Sequence, residues 1–414
     1  MPVDFNRVPP QAEVPRPPQV SLIAWAVLLI FIEGVGASLT FVFWPSGRSS
    51  DSLWFWLCAL AYPIMTWAFL LCSSLARRHA HRNQIIADNQ LSSQAEAACH
   101  EEASQPLAIL GHAWCISADD SDNSIDAVLR GSDLPRMRPS AAVAEMDVDA
   151  RWLELPQMKF YPGNELSESA RHHEICAWLI ERLIDRCTLQ LNALKAQVKL
   201  EIELVHRTRL ESETVEAFIR QAIAKRVPAL DVTFMSSEDQ SSSLFRTDAW
   251  FDHNGRDKAH LLISVVLLDA ISTVLSGGVI EAGVALLVGP PRLVSPSSPS
   301  RTLRMHRPAR GSFEAAAATI ESAAYWGRSS QGAPRSSWTN GIAQNSLGEI
   351  RQAVPFLNDI QVNMLDAFVG DCSVAGPWMA IGLAAESALS TGSPQLVMCG
   401  DGNELSALVC RKQI

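Results

Sequence analysis

The chain has 414 residues, a formal net charge of −10 and 48% hydrophobic residues. The acidic balance excludes nucleic acid as the main partner, because phosphate contacts need clustered lysine and arginine. Nine cysteines occur without any CxxC pair. In a cytoplasmic domain this pattern indicates free thiols rather than disulfides or a zinc site, and the sequence predicts no metal and no cofactor.

Two apolar runs near the start of the chain dominate its organisation. The first covers Val20 to Trp44 and the second Leu53 to Leu75. Each has the roughly 20 apolar residues that a membrane-crossing helix needs. We therefore predict a disordered Pro-rich tail over 1–19, a transmembrane helical hairpin over 20–75, a linker over 76–105 and a cytoplasmic domain over 106–414.

Charged residues beside the second run predict the orientation of the hairpin. Arg77, Arg78 and Arg82 follow the run, whereas the loop between the runs has one basic residue, Arg48, offset by Asp51. Because basic flanks stay in the cytoplasm, we expect both termini there, with the hairpin in the lipid bilayer and, in a bacterium, in the inner membrane. A cleaved signal peptide is the alternative for the first run, which is longer than a usual signal core and follows a tail that is not basic.

One ionisable residue, Glu33, lies in the middle of the first run and is followed by Gly34 and Gly36. A charged group at mid-membrane costs about 2.5–3.5 kcal/mol on insertion scales. We therefore expect the Glu33 carboxyl group to be protonated or to face Tyr62 or Thr66 in the second run. The glycines would let the two helices approach closely, so a helix-packing or oligomer contact is favoured over an ion or proton pathway.

After the linker, apolar runs and helical periodicity alternate along the chain. The patterns predict strands over 106–115, 198–205, 232–234, 260–268, 283–288, 395–399 and 405–410. They predict helices over 165–193, 212–227, 311–326, 345–354 and 376–390, and a long loop over 117–148. Interleaved strands and helices indicate an α/β class with a layered sheet, built as one large domain or as two fused halves.

Three blocks in the C-terminal half resemble the thiolase-like fold of β-ketoacyl synthases. They are His260 to Asp269 with the Gly-rich stretch Gly277 to Gly289, the loop Trp338 to Glu349, and the block Val369 to Gly392 with its small-residue helix. The resemblance implies a thiolase-like layered fold for the soluble part. It also implies a homodimer, or a heterodimer with a thiolase-like relative, because such folds pair across a central interface.

The catalytic groups of that family are not carried over. The positions that correspond to its catalytic cysteine, lysine and two histidines hold other residues here: Ser241, Asp366, Trp338 and Asp371. No cysteine occurs between Cys187 and Cys372. Asn345 and Glu349 are in register with the family's loop. Cys372 is the one cysteine in the expected cleft; a buried small residue is favoured there over a relic nucleophile.

Other clusters of polar residues are interpreted as solvated surface. His172, His173 and Glu174 match no metal-binding spacing and are expected on an exposed helix face. The stretch from Cys99 to Glu102 lies in the linker and is also expected to be exposed. Ser373 belongs to no GxSxG elbow, because Asp371 stands where that motif has its first glycine.

The sequence is compatible with three classes of function. The favoured one is a membrane-anchored, catalytically inactive thiolase-like protein that acts as a scaffold or adaptor for a partner protein. The resemblance places such proteins beside some bacterial secretion systems. The second is an acyl-thioester-binding protein or acyltransferase with an altered site at Asp371, Cys372 or Ser241. The third is a membrane signalling or transport component that works through Glu33.

Overall fold

The structure is a computed structural model, and it describes residues 5–16, 21–130, 137–195, 197–235, 243–252, 258–293, 302–327 and 334–413. The chain forms two compact units, one covering Asp4–Cys99 and the other His100–Ile414.

The first unit is built on two long helices that are apolar enough to cross a membrane by length and composition. Its helices are α1 (Leu22–Phe43), a short α2 (Leu53–Trp56), a π-helical turn (Leu57–Ala61) and α3 (Tyr62–Ala103). The predicted linker is thus the continuation of α3. Because α3 holds no break after the apolar run, residues 76–103 add helix at about 1.5 Å per residue.

The two apolar helices approach closely, as the small residues predicted. A Cβ atom on Gly36 would lie 2.2 Å from Cγ of Pro63, so only glycine fits there. The indole N–H of Trp67 donates to the carbonyl oxygen of Trp25 at 2.9 Å. The expected partner of Glu33 is absent: Thr66 donates its hydroxyl to the Tyr62 carbonyl instead. Both Glu33 carboxylate oxygens are buried without a hydrogen-bond partner among the described residues.

The second unit begins with a half that contains five strands of a large sheet. Its elements are β1 (Leu107–Cys115), α4 (Ile125–Arg130), β2 (Arg138–Pro139), β3 (Asp147–Val148), β4 (Ala150–Arg151), α5 (Glu165–Asn192), β5 (Lys199–Arg207), α6 (Ser212–Arg226), β6 (Asp231–Phe234), α7 (Asp248–Asp252), β7 (Lys258–Val266), β8 (Val279–Ile280) and β9 (Ala282–Gly289). The small strands β2 to β4 and β8 form two separate ribbons. Helix α4 and strands β2 and β3 lie in the region that was predicted as a long loop, β4 follows it, and β8 lies in the turn before β9.

A second half repeats this arrangement. Its elements are β10 (Leu303–Met305), β11 (Ala309–Ser312), α8 (Ala316–Trp326), β12 (Ser336–Asn340), α9 (Gln344–Ala353), β13 (Gln361–Met364), α10 (Leu365–Phe368), α11 (Gly376–Thr391), β14 (Gln395–Asp401) and β15 (Glu404–Lys412). Helix α8 starts five residues later than predicted, because Ala309–Ser312 pair with β15 as a strand. Strands β12 and β13, which sequence patterns missed, form a parallel pair.

The strand order shows that the two halves share one topology. From one edge of the sheet to the other it runs β13-β12-β14-β15-β10-β1-β9-β7-β5-β6. Numbered within its own half, each block reads 3-2-4-5-1, and strand 5 is antiparallel to both its neighbours. The blocks meet where β1 pairs with β10. The predicted layered α/β class is confirmed, and the body consists of two fused halves.

Alternating side chains on the central strands pack into two hydrophobic cores, one on each face of the sheet. Leu107 and Ile109 face the core that includes α11, whereas Ala108 and Leu110 face the core that includes α5. Helix α11 is buried along almost its whole length. Its small residues allow this: a Cβ atom on Gly382 would already touch the Trp114 ring at 3.4 Å. Strand β5 lies between β6 and β7, and its buried residues, such as Leu200 and Ile202, alternate with more accessible ones.

Candidate functional site

The start of α11 brings together three of the residues that the sequence singled out. Asp366 lies in α10, and Asp371 and Cys372 lie in the turn that leads into α11. The turn is held to the first half of the body: the Asp371 N–H donates to the Gly278 carbonyl at 2.6 Å, and the Ile280 N–H donates to the Asp371 carbonyl at 3.1 Å. We call Asp366, Asp371, Cys372 and Ser373 the α11 corner.

Asp366 is the half-buried carboxylate of this corner. It accepts hydrogen bonds from the Asn340 amide and from the Gly341 backbone N–H, both at 2.8 Å. Burial raises the pKa of the Asp366 carboxyl group, and the nearby charge of Asp371 acts in the same direction. Gly341 can present its N–H because it adopts φ +66, where a side chain would also lie 2.7 Å from the Gly400 carbonyl oxygen.

Cys372 is fully buried and has no contact with solvent. Its sulfur lies 3.5 Å from the Gly370 carbonyl oxygen and 3.9 Å from the Met379 sulfur. Burial raises the pKa of the Cys372 thiol far above its ordinary value, and the charges of Asp366 and Asp371 raise it further. A nucleophilic cysteine needs the opposite surroundings, with a lowered pKa and access to solvent.

Ser373 is a feature that the sequence did not reveal. It has φ +48, the single positive φ of a non-glycine residue in the described part of the chain. Its N–H donates to the Asp371 carboxylate at 2.7 Å, which holds the turn. Its hydroxyl accepts a hydrogen bond at 3.1 Å from Arg207, at the end of β5. Strained backbone of this kind is concentrated at functional sites, so the α11 corner is the candidate site.

The remaining predicted positions lie elsewhere. Trp338 is completely buried within β12, and its indole N–H has no hydrogen-bond partner in the described residues. It fills core where the resemblance implied a catalytic imidazole. Asn345 and Glu349 are on the exposed side of α9 and take no part in the corner. Ser241 lies outside the described residues.

A buried charge network in the first half was also missed. Arg171 donates two hydrogen bonds to Glu281, at 2.9 and 2.6 Å, and one to Glu168 at 3.1 Å. All three side chains are at most 1% exposed. Burial acts to lower the pKa of Arg171, but the charges of Glu281 and Glu168 hold it above its ordinary value. We call these three residues the charge cluster.

The charge cluster accepts hydrogen bonds from backbone N–H groups, most of which belong to the loop that follows β7. Glu281 accepts the N–H groups of Leu153 and Leu268, both at 2.7 Å. Glu168 accepts those of Ile271 and Ser272. With every carboxylate oxygen paired, the cluster fixes the loop rather than offering a reactive group. A signal existed in the sequence, because Glu168 and Arg171 fall on the apolar stripe of α5 with Ile175 and Leu179.

His172 corrects the prediction of a solvated helix face. It is 1% exposed; its Nε2 lies 3.0 Å from the Leu268 carbonyl oxygen, and its Nδ1 accepts the Arg209 backbone N–H. Burial lowers the pKa of His172, so the neutral ring is favoured. His173 and Glu174 are about half exposed, as predicted. His100 is likewise paired rather than free, since its Nδ1 accepts the Trp326 indole N–H at 3.0 Å.

A cleft of about 510 Å³ opens beside the charge cluster, at the ends of β5 and β7. Its polar wall includes His172, Arg207, Arg209 and Asp269, and its apolar wall comes from residues such as Leu267 and Val274. Arg209 forms a two-point ion pair with Asp269 at 2.6 and 3.0 Å. The hydrogen bond from Arg209 lowers the pKa of Asp269.

Arg207 adds a further cation to this cleft, and its charge also acts on Asp269. Within the described ranges no carboxylate lies at ion-pair distance from Arg207. The described residues also contain no group of three histidine, cysteine or acidic side chains placed to hold a metal ion. The cleft and the α11 corner meet at the hydrogen bond between Arg207 and Ser373.

No family model and no curated protein matches the chain. Among solved structures it is similar to the C-terminal type III polyketide synthase domain of Steely1 from Dictyostelium, with 9% identity and a TM-score of 0.47 over 75% of this chain and 100% of that one. It is similar to the fungal type III polyketide synthase ORAS, at 9% and 0.47 over 74% and 100%. It is similar to a Xanthomonas campestris OleA variant bound with cerulenin, at 10% and 0.45 over 74% and 97%.

The second unit is a layered α/β body in which both halves have the same strand order. At these identities and TM-scores the likenesses assign neither a family nor an activity to this chain. The chemistry of this chain has to be argued from its own residues.

Proposed function

We propose that this protein is a membrane-anchored thiolase-like protein without condensing activity, which acts as a scaffold or adaptor for a partner protein. The observation that supports this most directly is the state of the α11 corner. Its thiol, Cys372, is buried with a raised pKa, and its exposed carboxylate, Asp371, is engaged with the Ser373 N–H. Condensation of acyl thioesters needs an accessible thiolate and donors for a developing oxyanion.

The edge of the sheet supports pairing with another thiolase-like chain. Strand β6 ends the strand order, and its outer edge has no strand partner among the residues that the structure describes. The Met235 N–H donates inward to the Ile202 carbonyl. By the alternation of a strand, the backbone groups of Val232 and Phe234 point outward. A free edge of this kind is a template for pairing with a second strand.

Anchoring through α1 and α3 is part of the same proposal. Both helices pass the length and composition requirements of a membrane span, and the tight contact between Gly36 and Pro63 supports a paired hairpin. Basic residues after the second run support termini on the cytoplasmic side. Extraction with alkaline carbonate tests the anchor, because a spanning hairpin stays with the lipid whereas a peripheral protein is released.

The scaffold function is tested by the mass of the purified protein. We expect light scattering in mild detergent to give a dimer or a stoichiometric complex. Val232→Pro should shift it toward a monomer, because proline removes an outward N–H without breaking the ladder to β5. Val232→Ala is the matched control and should leave the mass unchanged. A strictly monomeric wild-type particle that recovers no specific partner would contradict the proposal.

A second candidate function, binding of an acyl thioester, is supported by the cleft beside Arg207. The cleft combines the guanidinium group of Arg207 with an apolar wall, which suits an amphipathic anion. Octanoyl-CoA is a suitable probe in isothermal titration, with Arg207→Gln as the variant and the exposed Lys225→Gln as the control. Saturable binding that only Arg207→Gln weakens would favour this candidate. A covalent acyl adduct by intact mass would establish altered chemistry and overturn the inactive scaffold.

A further inference from the structure

The N-terminal Pro-rich segment, residues 8–16, contacts α3 in the first unit and forms neither helix nor strand. Three side chains of the helix bond to it: Asn89 at Ala12, Ser92 at the Pro9 carbonyl, and Ser93 at the Gln11 amide. The described part of the tail therefore differs from the disordered segment that its composition predicted.

Asn89 makes the most specific of these contacts. Its Oδ1 accepts the Ala12 backbone N–H at 2.9 Å, and its Nδ2 donates to the Ala12 carbonyl oxygen at 2.7 Å. A side-chain amide carries a donor and an acceptor side by side, so it can satisfy both backbone groups of one residue, as a neighbouring β-strand would. No other side-chain type except glutamine offers this pair.

The proline pattern of the segment explains why it suits such a site. Pro9, Pro10 and Pro15 restrict φ and favour an extended chain, which reduces the entropy lost on docking. Prolines have no N–H, so the segment offers backbone donors between Pro10 and Pro15, where Ala12 lies. Pro9 still has a carbonyl oxygen, and the Ser92 hydroxyl donates to it. The positions of the prolines and the observed hydrogen bonds therefore both favour docking of this segment on α3.

We infer that residues 8–16 form a strap that docks on the Asn89 face of α3 and holds both ends of the helical hairpin on one side of the bilayer. Asn89 lies 14 residues beyond Leu75, or about 21 Å along a helix. The nine residues from Ala12 to Ser21 can extend over about 30 Å. The strap can therefore reach from the start of α1 to Asn89 only if both lie on the same side. This consequence for the bilayer depends on the proposed membrane anchor, whereas the docking itself does not.

The strap is tested by disulfide crosslinking of the full chain in native membranes. Gln11→Cys and Ser93→Cys replace two side chains whose polar atoms lie 3.1 Å apart. We expect mild oxidation to give an intramolecular crosslink in the double variant. Each single variant controls for reaction with the native cysteines, of which Cys99 is the nearest in sequence to position 93.

Asn89→Ala in the double-cysteine background is the decisive variant. It should slow crosslinking at least fivefold, whereas Asn83→Ala, at an exposed asparagine of the same helix, should leave the rate unchanged. An equal rate in both variants, no crosslink at all, or crosslinks only between chains would overturn the strap. Carbonate extraction separates the two proposals: release from the membrane with an intact crosslink would reject the anchor and retain the docking.

Discussion

The two halves of the second unit share a strand order, yet they hold their carboxylates in different ways. In the first half, Glu168 and Glu281 are held by the guanidinium group of Arg171. In the second half, Asp366 has no cation at ion-pair distance among the described residues and is held by the Asn340 amide and the Gly341 N–H. The same topology thus supports one site built on ion pairing and one built on backbone geometry.

The backbone of the second half adopts dihedral angles that fit glycine best. Gly341, Gly370 and Ser373 all have positive φ, at +66, +117 and +48. A Cβ atom at Gly370 would lie 2.8 Å from the Gly278 carbonyl oxygen, which is the acceptor of the Asp371 N–H. We therefore expect the charge cluster to be destabilised by the loss of a side chain, and the α11 corner by the addition of one.

Loss of Arg171 should have the largest effect. Arg171→Ala leaves two carboxylates buried without their cation, so we expect the free energy of unfolding to fall by about 3–5 kcal/mol. Urea unfolding of the full chain in mild detergent, followed by tryptophan fluorescence, measures this. Arg171→Lys keeps the charge but loses the two-point contact and should fall between Ala and wild type. A loss below about 1 kcal/mol for Arg171→Ala would show that the cluster does not stabilise the loop.

Addition of a methyl group at Gly370 should come next. Gly370→Ala combines unfavourable φ with the contact to Gly278, and we expect a loss of about 1–3 kcal/mol in the same measurement. Gly348→Ala, in α9, is the control: a Cβ there meets nothing within 4 Å. That change should stabilise the helix by up to about 1 kcal/mol. Equal effects of the two changes would mean that the backbone conformation at Gly370 does not restrict which residue fits there.

The pH dependence of the free energy of unfolding tests the environment of Asp366. Burial raises the folded-state pKa of Asp366 above the unfolded value of 3.8. The protonated group therefore contributes stability below that value, and the contribution is lost as the pH rises through the folded pKa. Asp366→Asn should therefore become more stable relative to wild type as the pH rises from acid to neutral, because the variant has no carboxyl group to ionise. The exposed Asp359→Asn should show no such trend; a flat difference for Asp366→Asn would contradict this account.

The smallest effect is expected at Ser373. Ser373→Ala loses the hydrogen bond from Arg207 and keeps the strained φ, so it should cost about 0.5–1.5 kcal/mol. Ser373→Gly loses the same bond but relieves φ +48, and it should be about 1 kcal/mol more stable than Ser373→Ala. If the alanine variant is the more stable of the two, the turn is not strained at this residue.

Sequence patterns predicted those elements whose signal is local. Helices α5, α6, α9 and α11 and strands β1, β7, β9, β14 and β15 were predicted near their observed bounds, because each carries its own periodicity or apolar run. Strands β12 and β13 were missed: Ser336–Asn340 and Gln361–Met364 are short and polar, and they become strands through pairing with β14 and with each other. Such pairing depends on residues distant in sequence.

The candidate site was predictable only in part. The sequence singled out Asp366, Asp371 and Cys372 of the α11 corner, because that choice depended on residue identity alone. It could not reveal the strain at Ser373, the hydrogen bond from Arg207 or the docking of the Pro-rich segment on Asn89, since each joins parts of the chain at least 77 residues apart or depends on a dihedral angle.

The sequence by itself determined the two apolar helices, the alternation of strands and helices, and the absence of a cysteine between positions 187 and 372. Only the tertiary structure decided which polar residues are buried. His172 and Glu168 carry the same chemistry as any exposed pair on a helix, and they differ because their side of α5 packs on the sheet. Burial is a property of the partner surface. It therefore becomes visible only when both surfaces are in place.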